Sequence, residues 1–301
     1  MPPAGTATPD RRLQANALCA ASMMVWAAGL PAADLLIPHV PAVWLSLMRN
    51  VLAAGLLLPL WWAFEGGRRM LRAPWLLGAA LGWITLGLAS ILTIIAQDLT
   101  DAVTVAVFSA SSPVVGLAIE VVAGRRRISA AVLAGLVLTL AGGLMASAAG
   151  ALTAVTLGIG ALAAFAAVVC YTLGSSLTVT ALPGQSDIGR AALTIAGAAA
   201  IGAGLTLAWH LGGGAGPDWA ALGRAEFGAL LVYGVGAIGI SQLLWIMGVS
   251  RFGIGMASFH LNAAPFYVML ILFALGEPWN WTQAAGAAVV ALGVLIAQDR
   301  R

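Results

Sequence analysis

Lysine is absent from the 301-residue sequence, cysteine occurs twice and histidine three times, and only 8% of residues are charged. Each shortage excludes something. Cys19 and Cys170 both lie in apolar stretches without a CxxC partner, which leaves no disulfide framework and no thiolate metal site. His39, His210 and His260 fall at different depths, no HExxH occurs, and no Ser/His/Asp set shares one depth. A catalytic constellation, a metal site and a cofactor are therefore not expected. With 61% hydrophobic residues against 8% charged, the chain has too little polar surface to cover a water-soluble globule of its size. The missing lysine reads as a base-composition bias and carries no chemistry.

The chain instead holds ten long apolar runs, at roughly 15–37, 41–64, 73–96, 101–123, 129–149, 156–182, 190–211, 227–249, 252–276 and 280–298, each near the ~20 residues that a bilayer-crossing helix needs. Arg11, Arg12, Arg68, Arg69, Arg72, Arg125, Arg126, Arg127, Arg190, Arg251, Arg300 and Arg301 all fall in one alternating set of gaps and tails. The other gaps hold Arg224 and six acids, Asp34, Asp98, Asp101, Asp218, Glu226 and Glu277. Short cytoplasmic loops retain arginine, so both termini are predicted inside, with 1–14 as a cytoplasmic tail. The pI near 9.4 then reflects loop arginines facing anionic head groups, and no nucleic-acid partner is expected. The first run is too long for a signal h-region and reads as an anchor. The longest gap, Gly212 to Glu226, is a glycine-rich loop, so no extramembrane domain is expected and function must lie within the bilayer.

Duplication is the next signal. At an offset of 152, Gly82 falls on Gly234, Gly87 on Gly239, Leu92 on Leu244, Pro113 on Pro265 and Gly124 on Gly276; at an offset of 145, Trp26 and Gly29 face Tyr171 and Gly174. Five runs per half is an odd number, so the halves, 15–149 and 150–299, would lie inverted to one another. The fold expected is all-α, ten transmembrane helices as two inverted five-helix repeats around a central cavity. Inverted repeats of this kind are characteristic of secondary transporters, with substrate near the midplane.

Pro113 with Gly124, and Pro265 with Gly276 and Glu277, each before a short turn and a last helix, together with Arg49 in the second run, resemble the EamA type of the drug/metabolite transporter superfamily, from about Asn16 to Gln298. Arg125 stands where that pattern puts an acid, and the seventh run has no counterpart of Arg49. The resemblance implies a ten-helix bundle that moves small metabolites by alternating access, often outward. It is most similar to bacterial amino-acid exporters, which implies a bacterial inner membrane and amino acids with apolar or aromatic side chains. Export of drugs or other small amphiphiles is the alternative, with a membrane enzyme or scaffold more remote.

Candidate binding or gating residues are those that the topology leaves unexplained. Arg49 is a cation in the middle third of its run, where it costs at least ~2.5 kcal/mol to insert, so a compensating role is expected. It fits a substrate carboxylate or gating ion pair, or a brace bonded to helix carbonyls. His260, five residues before Pro265, and Asn262 fit a cavity or a packing role. Prolines free a backbone carbonyl one turn earlier, and Ser109, Ser111 and Ser112 beside Pro113 could satisfy it or leave it facing a ligand. Trp26, Trp83 and Tyr171 are placed near midplane, with Ser241, Gln242 and Trp245 in the eighth run; they suit an aromatic-lined cavity, or packing against glycine-rich helices. Trp44, Trp61, Trp62, Trp75, Trp209, Trp219, Trp279 and Trp281 lie at run ends, as an interfacial belt requires. Glu120 is expected to pair with the arginines that follow it, with proton coupling as its alternative; Asp34 has the same two readings, and His260 is the other candidate to carry a proton. Small-residue faces on the fifth and tenth runs fit a monomer or weak homodimer.

Overall fold

The computed structural model describes residues 9–122, 130–148, 154–252 and 257–298, and among these it is helical with no strand. Gly124 and the Arg125 to Arg127 cluster, with the pairing expected of Glu120, lie outside the described residues.

Helix occupies every one of the ten apolar runs. They are α1 (Pro9–Asp34), α2 (Ala42–Glu65), α3 (Trp75–Gly82 and Ala89–Leu99, joined by a π-helical stretch Trp83–Leu88), α4 (Ala102–Ser109 and Ser112–Val122), α5 (Ala130–Ala148), α6 (Ala154–Ala181), α7 (Asp187–Leu211), α8 (Arg224–Leu231 and Ser241–Phe252, joined by π-helical Val232–Ile240), α9 (3-10 helix Ser258–Ala263 running into Ala264–Ala274) and α10 (Trp281–Gln298). Among the described residues, six stretches are long and apolar enough to cross a membrane: Leu13–Asp34, Ala42–Glu65, Trp75–Leu99, Gly158–Ala181, Asp187–Leu211 and Arg224–Arg251. Shorter apolar helices cover Ala102–Gly116, Leu133–Ala146 and His260–Ala274. Large apolar side chains stand outward all round, Leu76 at 88% exposure and Phe64 at 77% among them. Lipid tolerates such a surface, whereas in water it would drive association.

Contacts between gaps sort into two ends. At one end the Asp218 amide donates to the His39 carbonyl (2.8 Å), Gln97 to Asp34 (2.7 Å) and Gln283 to Asp101 (2.8 Å). At the other, Ser250 donates to Asp187 (2.9 Å), and Arg69 pairs with Glu65 and Arg190 with Asp187. The described acid-bearing gaps thus gather at one end of the bundle, and the gap after α6 meets the end of α8 elsewhere.

The principal packing runs between residues 15–149 and 150–299. Helix α1 lies against α8 and α9, α2 against α7 and α8, α3 against α6 and α7, and α5 against α10. The α5/α10 pair packs backbone to backbone: a Cβ at Gly142 would stand 2.7 Å from the Gly286 carbonyl oxygen, and one at Gly286 2.7 Å from that of Gly142. The small-residue faces of the fifth and tenth runs therefore meet each other inside the chain, because helices in lipid associate by close backbone packing. Trp61 also departs from the belt expected of it. It sits at a helix end but turns inward, fully buried, 6.0 Å from the Trp75 ring and bonded through Nε1 to Glu65. Trp62, Trp209 and Trp281 do stand exposed at helix ends, and Trp219 is exposed in the loop between α7 and α8.

The backbone irregularities fall at the 152 offset. The π-helical Trp83–Leu88 maps onto 235–240, within π-helical Val232–Ile240. Pro113 is the second residue of Ser112–Val122 and Pro265 the second of Ala264–Ala274, each following a break in its helix. Proline suits a first helical turn, where its missing N–H has no partner to lose.

Candidate functional site

The interrupted stretches of α3, α4 and α8 surround a cavity with about 810 Å³ of empty space, its open end included. The π-helical stretch of α3 contributes Thr85 and Leu86, and that of α8 contributes Tyr233, Ala237 and Ile238. Stretches of π-helix recur at functional sites because they re-aim side chains within a helix. Trp26, Arg49, Ser109, Ser112, Tyr171, Ser241 and Gln242, all singled out by the sequence, line the same cavity.

Arg49 is 6% exposed. Its Nη1 donates to the Tyr233 hydroxyl, and its guanidinium carbon lies 4.5 Å from the centroid of the Tyr233 ring. Gly29 of α1 makes room for this arrangement: a Cβ there would collide with Ala237 and lie 3.1 Å from the Tyr233 ring. No carboxylate pairs with Arg49 among the described residues, and its Nε is buried without a partner. Ser90, 1% exposed and also lining the cavity, has an unpartnered hydroxyl.

Other polar lining groups are already engaged. The Tyr171 hydroxyl donates to Gln242 Oε1 (3.3 Å), and Ser22 donates to the Ser241 carbonyl (2.8 Å). Thr85 donates to the Leu81 carbonyl (2.7 Å) and Ser109 to that of Val105 (2.9 Å). Ser112 donates to the Ser109 carbonyl (2.8 Å), the group that Pro113 frees four residues earlier, so serine satisfies the proline break in α4. In α9 the corresponding Leu261 carbonyl accepts from the Ala264 amide.

Five singled-out residues stand apart from the lining. Trp83 is half-buried and packs on Gly87, facing Gly202 of α7. Trp245 is buried in an apolar cluster with Cys19, Met23 and Ile246. His260 is half-buried, its Nδ1 3.2 Å from the Ala257 carbonyl, and the Asn262 side-chain oxygen is buried without a partner. Asp34 is exposed at the end of α1 and accepts from Gln97. Tyr233 escaped sequence reasoning. Its only signal was depth: it stands about as far from the acid-bearing end of α8 as Arg49 does from that of α2.

Residues 13–148 match the EamA-like transporter family. A solved crystal structure, described only as that of a protein, aligns over 94% of this chain and 96% of that chain at 20% identity, with a TM-score of 0.69. At that identity the likeness is one of fold, and it extends over both halves. No curated protein matches the sequence. The chain is a multi-pass helical membrane protein. Its first half carries an EamA-like transporter domain, consistent with the drug/metabolite transporter superfamily, and that family is one of membrane transporters of small molecules, not enzymes.

Proposed function

We propose that the protein is a secondary transporter that moves a small organic acid with an apolar or aromatic body, a class that includes apolar amino acids, across a bacterial inner membrane by alternating access. Its halves, 15–149 and 150–299, act as inverted five-helix repeats that rock about the cavity, with both termini cytoplasmic and net movement outward. The observation that carries this reading is the mid-bundle cavity flanked by helix interruptions at equivalent positions of both halves, with Arg49 on its wall. The boundaries of the EamA-like match, 13–148, also fall within two residues of the first proposed repeat. Discontinuous helices at a repeat interface are where transporters of this kind hold their cargo. Arg49 supplies a carboxylate ligand, while Trp26, Tyr171 and the aliphatic wall receive the rest of the molecule. Export of drugs or other amphiphiles is the second reading, favoured by how much of that wall is apolar.

Purified protein in liposomes preloaded with a panel of labelled small metabolites tests the reading. Apolar organic or amino acids should leave faster than from empty vesicles. If no solute in the panel does, the protein is not such a transporter.

A further inference from the structure

Resting on the transporter reading, we infer that the cavity selects a singly negative organic acid with an apolar or aromatic body, in preference to a zwitterionic amino acid or a cation. The charge of the wall is the basis. Among the described residues, Arg49 is the charged side chain of the lining, and no Asp or Glu lines it. Its hydrogen-bond partner, Tyr233, brings an aromatic face and a hydroxyl, which solvate the guanidinium without neutralising it. A buried guanidinium cannot shed its charge by losing a proton, and a buried charge without its counter-ion is the costly half of an ion pair. A membrane interior raises that cost.

Two unpartnered donors on the lining residues suit an anion. The Nε of Arg49 is a bare donor and Ser90 offers a bare hydroxyl, both more than nine-tenths buried on residues that line the cavity. Each is a donor that suits a carboxylate, and a bond between guanidinium and carboxylate is of the strong, charge-assisted kind. Asp34, the acid within electrostatic reach of Tyr233, does not fill the role. It lies outside the lining, is exposed, and already accepts from Gln97.

Net charge separates the ligand classes. A monoanion brings the wall and its cargo to zero. A zwitterion places its carboxylate equally well but leaves an ammonium with no acid to meet it. The hydroxyl oxygens of Thr85, Ser109 and Ser112, which donate to helix carbonyls, can still accept from it, but none carries the negative charge that would neutralise it. A cation adds a second positive charge to an uncompensated first.

A matched series tests this, because phenyllactate and phenylalanine differ only in a hydroxyl against an ammonium, and phenethylamine removes the carboxylate. Flux through wild-type protein in liposomes, above that of empty vesicles, is compared with ligand-dependent stabilisation of the detergent-purified protein, which reads binding alone. Phenyllactate should move and stabilise at concentrations at least tenfold below those needed for phenylalanine, with phenethylamine inert. Arg49→Gln should abolish at least tenfold of the preference. If that variant does not fold, Ser90→Ala should weaken phenyllactate at least threefold and leave phenethylamine unchanged. Phenylalanine carried as well as phenyllactate would overturn the selection rule while leaving the transporter intact. Failure of all three probes, with other metabolites still crossing, would overturn it equally. Failure of every solute would remove the transporter reading as well.

Discussion

The Arg49 guanidinium reaches across from α2 to Tyr233 of α8, donating to the phenol and lying 4.5 Å from the centre of its ring. A cation desolvated against an aromatic face gains about 2 kcal/mol, and a hydrogen bond to a charged group about 1.5 to 3 kcal/mol. The pair therefore ties α2 to the π-helical part of α8 across the cavity wall, and it holds the guanidinium in one place.

Tyr233→Phe separates these contributions, because it keeps the ring and deletes the hydroxyl. The expected cost is about 1.5 to 3 kcal/mol of stability, since Nη1 of Arg49 loses its acceptor. Tyr233→Ala should cost more. Unfolding in detergent measures both, and a Phe variant as stable as wild type would show the hydroxyl to be idle.

Gly286→Val acts far from the cavity. The new side chain would start 2.7 Å from the Gly142 carbonyl oxygen and 2.9 Å from the Ala146 amide nitrogen, so α5 and α10 must separate. Overpacking of this kind costs typically about 1 to 3 kcal/mol. The unfolding temperature should fall, while the folded fraction keeps the wild-type affinity for cargo. An unchanged unfolding temperature would mean that this contact contributes nothing.

Orientation is read by labelling. Gly216, in the loop between α7 and α8, and Gly184, between α6 and α7, are both exposed with open space where a Cβ would stand. A membrane-impermeant thiol reagent applied to intact cells should label Gly216→Cys and spare Gly184→Cys. The reverse pattern would invert the assignment made from the arginines.

Depth was legible in the sequence, and azimuth was not. Run length located the long apolar helices of the described residues, because apolar length is what the bilayer itself reads, but not the short helix Gly67–Leu71, which lies in an arginine-rich gap. Pro113 and Pro265 announced the breaks in α4 and α9, and Arg49 stood out as a charge in an apolar run. Trp83 and Trp245 were placed at suitable depth, yet they pack on Gly87 and in a buried cluster instead of lining the cavity. Lipid and protein interior are both apolar, so no polar face marks which way such a helix turns. The π-helical stretches carry no single residue that betrays them. Tyr233, 184 residues from Arg49, had no local marker of its partner.

The central claim, that cargo crosses through the cavity beside Arg49, is tested most directly by blocking it. Thr93 lines the cavity and is half-buried, whereas Leu76 stands outward at 88% exposure. In a Cys170→Ala background, Thr93→Cys modified with a bulky maleimide in liposomes should lose transport, and bound cargo should slow the modification. Leu76→Cys modified to the same extent should transport normally. Full modification of Thr93→Cys with transport at the unmodified rate would contradict the account.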